Sequence, residues 1–212
     1  MQYPLCEGSA TEFLVRCLGL VEYGPTWRAM QAFSANRDAA TPDELWLVEH
    51  APVYTLGLAG KTKHLLRETD IPVVKTDRGG QITYHGPGQV VVYVLLDMTR
   101  RNLKVRELVR RIEQAAIDLL AEQDVTAARL SGAPGVYVDG AKIAALGLRV
   151  KGGCCYHGIA LNVAMDLAPY AAINPCGYAG LRVTQLRDLG VDLDMRKAGD
   201  ALLAHLVREL NR

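Results

Sequence analysis

Residues 135–150 read GVYVDGAKIAALGLRV, two runs of alternating apolar residues joined by Asp139-Gly140. Asp-Gly between β-like runs predicts a two-residue hairpin turn, because both turn positions need positive φ. A second turn at Lys151-Gly152-Gly153 leads into a further strand over 155–163. Strands that fold straight back on one another belong to an antiparallel sheet and not to a regular strand–helix repeat.

Working outward, VVVYVLL at 90–96 is a short, continuous, β-branched apolar run, which predicts a buried central strand. Between it and the hairpin, Val105, Leu108, Val109, Ile112, Ala116 and Leu119 recur at helical spacing, with Arg106, Arg110 and Glu113 on the opposite side. Upstream, 13–23 reads as a strand and Thr26 as the N-cap of a helix to about Ala40, stopped by Thr41-Pro42. Short strands follow at 45–49, 53–56 and 71–75, and a last helix runs from about Arg196 to Leu210 with Leu202, Leu203, Leu206 and Leu210 inward. The expected fold is α+β: a mixed, largely antiparallel sheet with flanking helices. One domain spans 12–212 behind a flexible tip at 1–11.

Half of the 212 residues are hydrophobic and 22% are charged, as in a globular protein with a real core. Twenty-four basic and 23 acidic residues leave a net charge of +1, so no global field draws the chain to nucleic acid or an anionic membrane. No apolar run approaches the ~18 residues of a membrane span. The five cysteines show no framework spacing, and the N-terminus lacks a basic region followed by an apolar one. Reduced thiols in the cytoplasm are therefore expected, which weighs against a Cys6–Cys17 disulfide. Cys154, Cys155 and His157 do not have a zinc spacing, so no metal is expected. The phosphate-loop and dinucleotide fingerprints are also missing, and no cofactor is expected.

Three segments hold more glycine and polar residues than a packed sheet needs. In RGGQITYHGPGQ at 78–89, glycines permit close backbone approach to a ligand, though a glycine-rich turn between edge strands reads equally well. In AKIAALGLRV at 141–150, Lys142 is the polar end of a row shared with Ala144, Leu146 and Leu148. It is either a strand-end lysine reaching water or a partly desolvated ammonium with a lowered pKa. In INPCG at 173–177, proline and glycine put Cys176 in a turn, where a nearby cation would stabilise its thiolate.

Together with HGIALNV at 157–163 and LVEHAPVYTLG at 47–57, these segments stand in the order found in the lipoyl(octanoyl) transferase family, which the chain resembles over about residues 12–212. The resemblance implies the fold of biotin and lipoyl protein ligases. It also implies that Cys176 is the acyl-thioester nucleophile and that Lys142 favours its thiolate. Substrate-binding positions carry over to Arg78, Gly79, Gly80, Gln81, Ile82, Thr83, Tyr84 and His85, to Ala145, Leu146 and Gly147, and to Gly158, Ile159 and Ala160. Tyr54 stands where the family commonly has Phe, and the Cys154-Cys155 pair belongs to none of its motifs.

The implied reaction takes an octanoyl group from octanoyl-acyl carrier protein to the acceptor lysine of lipoyl domains, those of 2-oxoacid dehydrogenases and the glycine cleavage H protein. The first rival is an ATP-dependent lipoate or biotin protein ligase, which would not need Cys176. The second is a non-catalytic acyl-binding module. Backbone N–H groups near Cys176 or at Gly147 are candidate oxyanion donors. Ala144, Leu146 and Leu148 read either as an acyl-tunnel floor or as core. Arg100, Arg101, Lys104 and Arg106 read either as a landing patch for acidic partners or, more economically, as a solvated helix start.

Overall fold

The computed structural model describes residues 12–212; the expected tip at 1–11 lies outside the described residues. In chain order the elements begin with β1 (Phe13–Val21), α1 (Tyr23–Ala35), β2 (Asp43–His50), β3 (Val53–Leu56), β4 (Val73–Lys75), β5 (Ile82–His85) and β6 (Gln89–Asp97). They continue with α2 (Val105–Ala121), β7 (Ala128–Leu130), β8 (Ala133–Val138), β9 (Ala141–Lys151), β10 (Cys154–Asn162) and α3 (Met195–Leu210).

The apolar run is the middle of the molecule. β6 lies third from one end of a seven-stranded sheet and fifth from the other, in the order β1-β2-β6-β10-β9-β8-β7. Its side chains alternate between two cores. Val90, Val92, Val94 and Leu96 pack with α2 and α3, and Val91, Tyr93 and Leu95 pack with Met30 of α1 and Trp46. Burial on both faces is why the run reads as continuously apolar. β1 pairs parallel to β2, and the other pairs of this sheet are antiparallel. A second sheet, β4-β3-β5, carries its own core of Tyr54, Leu56, Ile82, Tyr84 and Tyr170. The mixed sheets with flanking helices agree with the α+β expectation.

Several local expectations are corrected. Thr26 does not cap α1: the helix starts at Tyr23, and buried Thr26 donates its hydroxyl to the Glu22 carbonyl at 2.9 Å. The helix ends at Ala35, and Asp38 and Thr41 close a polar turn where its last residues were expected. Strand 71–75 shortens to Val73–Lys75, while residues 82–85 of the glycine-rich segment form a strand instead of a turn. Glu113 faces inward and not outward: its carboxylate accepts from Gly135 N at 2.9 Å and Arg129 Nε at 3.0 Å. Cys17 is disulfide-bonded, its partner lying outside the described residues, which departs from the expected reduced thiols.

The hairpin departs most usefully. Val136 pairs with Ala144 but Tyr137 with Lys142, so β9 holds one extra residue at Ile143. This β-bulge breaks the alternation. Ile143 and Ala144 both enter the α2/α3 core, where Leu146 and Leu148 also pack. Lys142 is thereby released from the row it was expected to share. Ala144 and Leu148 are core residues, not a tunnel floor.

Candidate active site

Cys176 and Lys142 meet. The 3-10 turn Pro175–Gly177 holds Cys176 at φ 56° and ψ 15°, a left-handed conformation that costs a non-glycine residue about 1–2 kcal/mol. Neighbouring backbone fixes the turn: Asn174 N–H donates to the His64 carbonyl at 2.8 Å and Gly177 N–H to the Asn174 carbonyl at 2.9 Å. The Gly177 N–H is thus already engaged and is not a free oxyanion donor. Lys142 is held by its N–H to the Arg182 carbonyl (2.8 Å) and by Thr184 N–H to its own carbonyl (3.0 Å). Its Nζ donates to Cys176 Sγ at 2.8 Å and to the Pro134 carbonyl at 3.1 Å, and lies 5.0 Å from the Tyr137 ring centroid. Gly135, at φ +130°, makes the room, since a Cβ there would stand 3.3 Å from Lys142 Cε and 2.5 Å from the Ala144 carbonyl oxygen.

Lys142 is 3% exposed. Lys142 therefore does not reach water as a strand-end lysine; burial alone would lower its pKa, but the charge and hydrogen bond of Cys176, with Tyr137, outweigh it and the net shift is upward. Beside a thiolate, Lys142 is therefore a charged ammonium.

Next to this pair opens a pocket whose empty space, the open solvent at its mouth included, is about 490 Å³. One wall is the α1 side of the large sheet, with Val91, Tyr93, Ala145, Gly147, Gly158 and Ala160; the other carries Gly80, Gln81, Ile82, Thr83 and His85, with Cys176 among the lining residues. Arg78, Leu146 and Ile159 also contribute. Gly79 and Tyr84 stand outside this lining. Gly79 N–H pins the loop to β9 through the Leu148 carbonyl at 2.8 Å, and Tyr84 packs on Tyr54 and Tyr170 in the small sheet. Gly158 is required by the sheet itself, because a Cβ there would stand 1.9 Å from the Val92 carbonyl oxygen.

The buried Arg78 guanidinium explains other glycines. It donates to Thr55 Oγ1, and to the Thr55, Gly79 and Gln81 carbonyls at 2.5, 2.9 and 2.8 Å. A Cβ on Gly57 would lie 2.8 Å from its Nη1, and one on Gly147 would lie 3.2 Å from its Cδ.

Residues 22–207 match the lipoyl protein ligase A/B catalytic domain family. An octanoyltransferase of Chromobacterium violaceum is 65% identical over 198 residues, 93% of this chain and 96% of that one. One of Thiobacillus denitrificans is 67% identical, covering 93% of this chain and 90% of that one. The chain belongs to the lipoyl(octanoyl) transferase family. It is an acyltransferase, and its activity is acyl transfer in protein lipoylation.

The fold is shared with solved ligases of low identity. A lipoate-protein ligase A bound with ATP superposes with a TM-score of 0.74 at 17% identity, covering 95% of this chain and 85% of that one. A biotin protein ligase from Aquifex aeolicus gives 0.56 at 13%, covering 93% and 68%.

The enzyme's site contains groups that sequence reasoning missed. Asp77, just before Arg78, accepts from Trp27 Nε1 (2.8 Å), Gln31 Nε2 (3.1 Å), His157 Nε2 (3.0 Å) and the Tyr156 hydroxyl, tying the 78–81 loop to α1 and β10. Burial would raise its pKa, but these donors hold it well below the usual carboxylate range. His157, His85 and His50 are all pushed down by burial, His85 to about 3 and His50 to about 4, so they are neutral imidazoles. The one available sequence signal was Tyr93, a lone hydroxyl inside VVVYVLL.

Two other features are not part of this site. Arg100 and Arg101 are bound to buried Asp43 at 2.7 and 2.5 Å, which spends part of their charge internally. They stand by the 151–154 turn, at the end of β9 opposite Lys142, roughly 30 Å away at about 3.3 Å per residue. Cys155 is buried with its thiol pushed up to about 12, and burial raises Cys154 as well, so neither is a ready nucleophile.

Proposed function

We propose that the enzyme carries an octanoyl group from octanoyl-acyl carrier protein, through a thioester on Cys176, to the acceptor lysine of a lipoyl domain. Residues 12–212 act as one catalytic domain in the cytoplasm. The observation that carries this reading is Lys142 Nζ, 2.8 Å from Cys176 Sγ beside a mostly apolar pocket.

In the first half-reaction the Cys176 thiolate attacks the carrier thioester carbon, and the carrier thiolate leaves with the Lys142 proton. One thioester replaces another, so the activation is kept and no further energy source is needed. Acylation removes the thiolate charge that held the Lys142 pKa up, leaving burial as the dominant remaining influence, which lowers it. Lys142 is then suited to act as general base. In the second half-reaction it takes the proton of the attacking acceptor amine, the Cys176 thiolate leaves, and the ion pair is restored. The 2-oxoacid dehydrogenases and the glycine cleavage H protein supply the acceptor domains. The pocket, with the substrate-binding positions at 78–85, 145–147 and 158–160, receives the alkyl chain.

An ATP-dependent ligase on the same fold would not need a thiol paired with its lysine. The test is octanoylation of an apo lipoyl domain under two regimes. Octanoyl carrier protein without nucleotide is expected to suffice, and efficient transfer from free octanoate with Mg-ATP would overturn the reading.

A further inference from the structure

We infer that Tyr93, with Tyr23 beside it and His50 behind, is the wall that ends the acyl pocket and sets the chain length the enzyme accepts. This rests on the Cys176 thioester proposed above.

The sheet register acts as a ruler. Val91, Ala160 and Ala145 form one rung across β6, β10 and β9, and Tyr93, Gly158 and Gly147 form the next pocket-facing rung, about 7 Å further from Lys142. On β10 and β9 both rungs carry only Ala or Gly, which leaves a slot. On β6 the side chain changes from Val91 to Tyr93, and there the slot meets a ring. Gly147 lies roughly 13 Å along β9 from Lys142 once the bulge is allowed for. An extended octanoyl chain spans roughly 9 Å from carbonyl carbon to methyl, with single bonds of about 1.5 Å. The thioester begins at Cys176 Sγ, 2.8 Å from Lys142 Nζ at the near end of this ruler, so an extended octanoyl chain runs along the slot toward the Tyr93 rung. Two further carbons need roughly 2.5 Å more.

The wall is fixed in place. The Val21 carbonyl at 3.0 Å can only accept, so His50 Nδ1 carries the proton and Nε2 accepts from the Tyr93 hydroxyl at 2.5 Å. The Tyr23 ring stands edge-on to His50 at 5.2 Å. Tyr23, His50 and Tyr93 are each at most 3% exposed, so Tyr93 cannot swing aside without leaving a buried imidazole nitrogen unpartnered. An aliphatic residue would fill this strand position equally well for packing; a hydroxyl anchored from behind gives a defined stop.

The test is competition for Cys176 among hexanoyl, octanoyl, decanoyl and dodecanoyl carrier protein, read as initial rates of each adduct by intact mass. Wild type is expected to load octanoyl over decanoyl. Tyr93→Leu is expected to raise the decanoyl-to-octanoyl ratio by roughly 15-fold, two methylenes at about fourfold each. Tyr23→Leu leaves the Tyr93–His50 bond in place and is expected to shift the ratio in the same direction, which decides the matter if Tyr93→Leu does not fold. A merely structural role would slow every length alike. An unchanged ratio in the folded variants overturns the wall alone, whereas no adduct of any length overturns the thioester reading with it.

Discussion

Lowering the pH from 7 to 5 should weaken this fold through two buried imidazoles, His85 in the pocket lining and His50 behind it. Burial holds His50 at about 4 and His85 at about 3, against an ordinary value of 6.5. In the unfolded chain both protonate near 6.5, so below that pH the unfolded state binds more protons and stability falls until the folded values are reached. At pH 5 each histidine costs about 2 kcal/mol, about 4 kcal/mol together. His157, also pushed down by burial, adds in the same direction. Asp77 stays ionised throughout this window and does not offset the loss. Urea unfolding followed by fluorescence of Trp27 and Trp46 reads the effect. With an m-value of about 3 kcal/mol per M, the midpoint should fall by more than about 1 M. In the folded protein both imidazoles stay largely neutral down to pH 5, so the pocket wall keeps its apolar character in this window and the loss is one of stability. Equal midpoints at the two pH values, or an undiminished shift in a folded His50→Gln, His85→Gln double variant, would refute the reasoning.

Lys142→Ala should fold but lower the transfer rate by about 10²–10⁴-fold, and should slow alkylation of Cys176 by iodoacetamide at neutral pH; unchanged alkylation would remove its electrostatic role. Gly158→Ala should cost about 3 kcal/mol or more in thermal unfolding, since its Cβ would stand 1.9 Å from a backbone oxygen. A stable, fully active variant would contradict the packing described. Asp77→Ala should lower the melting temperature and raise the KM for the acyl donor, because four donors lose their acceptor and the 78–81 loop loses its anchor. An unchanged KM would confine Asp77 to stability.

Elements that bury a full stripe or both faces were legible in the sequence. VVVYVLL at 90–96, the Asp139-Gly140 hairpin and the leucines of α3 announce themselves through period and turn chemistry. The bulge at Ile143 does not, because Ala141, Ala144 and Ala145 suit either face and erase the phase of the alternation. Yet that single residue turns Lys142 from the core side toward Cys176. Glu113 likewise falls outward by helical period alone, since its inward role depends on Gly135 and Arg129, which lie far along the chain. Cys176 and Lys142 were recognisable as motif residues, but their approach depends on 174–184 folding back onto 64 and 142, a tertiary event without local signature.

The central claim is that Cys176 holds the acyl group between two protein partners. Intact mass of the enzyme after mixing with octanoyl carrier protein tests it most directly. The expected result is one octanoyl group on wild type, discharged when apo lipoyl domain is added, and none on Cys176→Ser. An unmodified wild type during active transfer, or an adduct that persists on the variant, would contradict it.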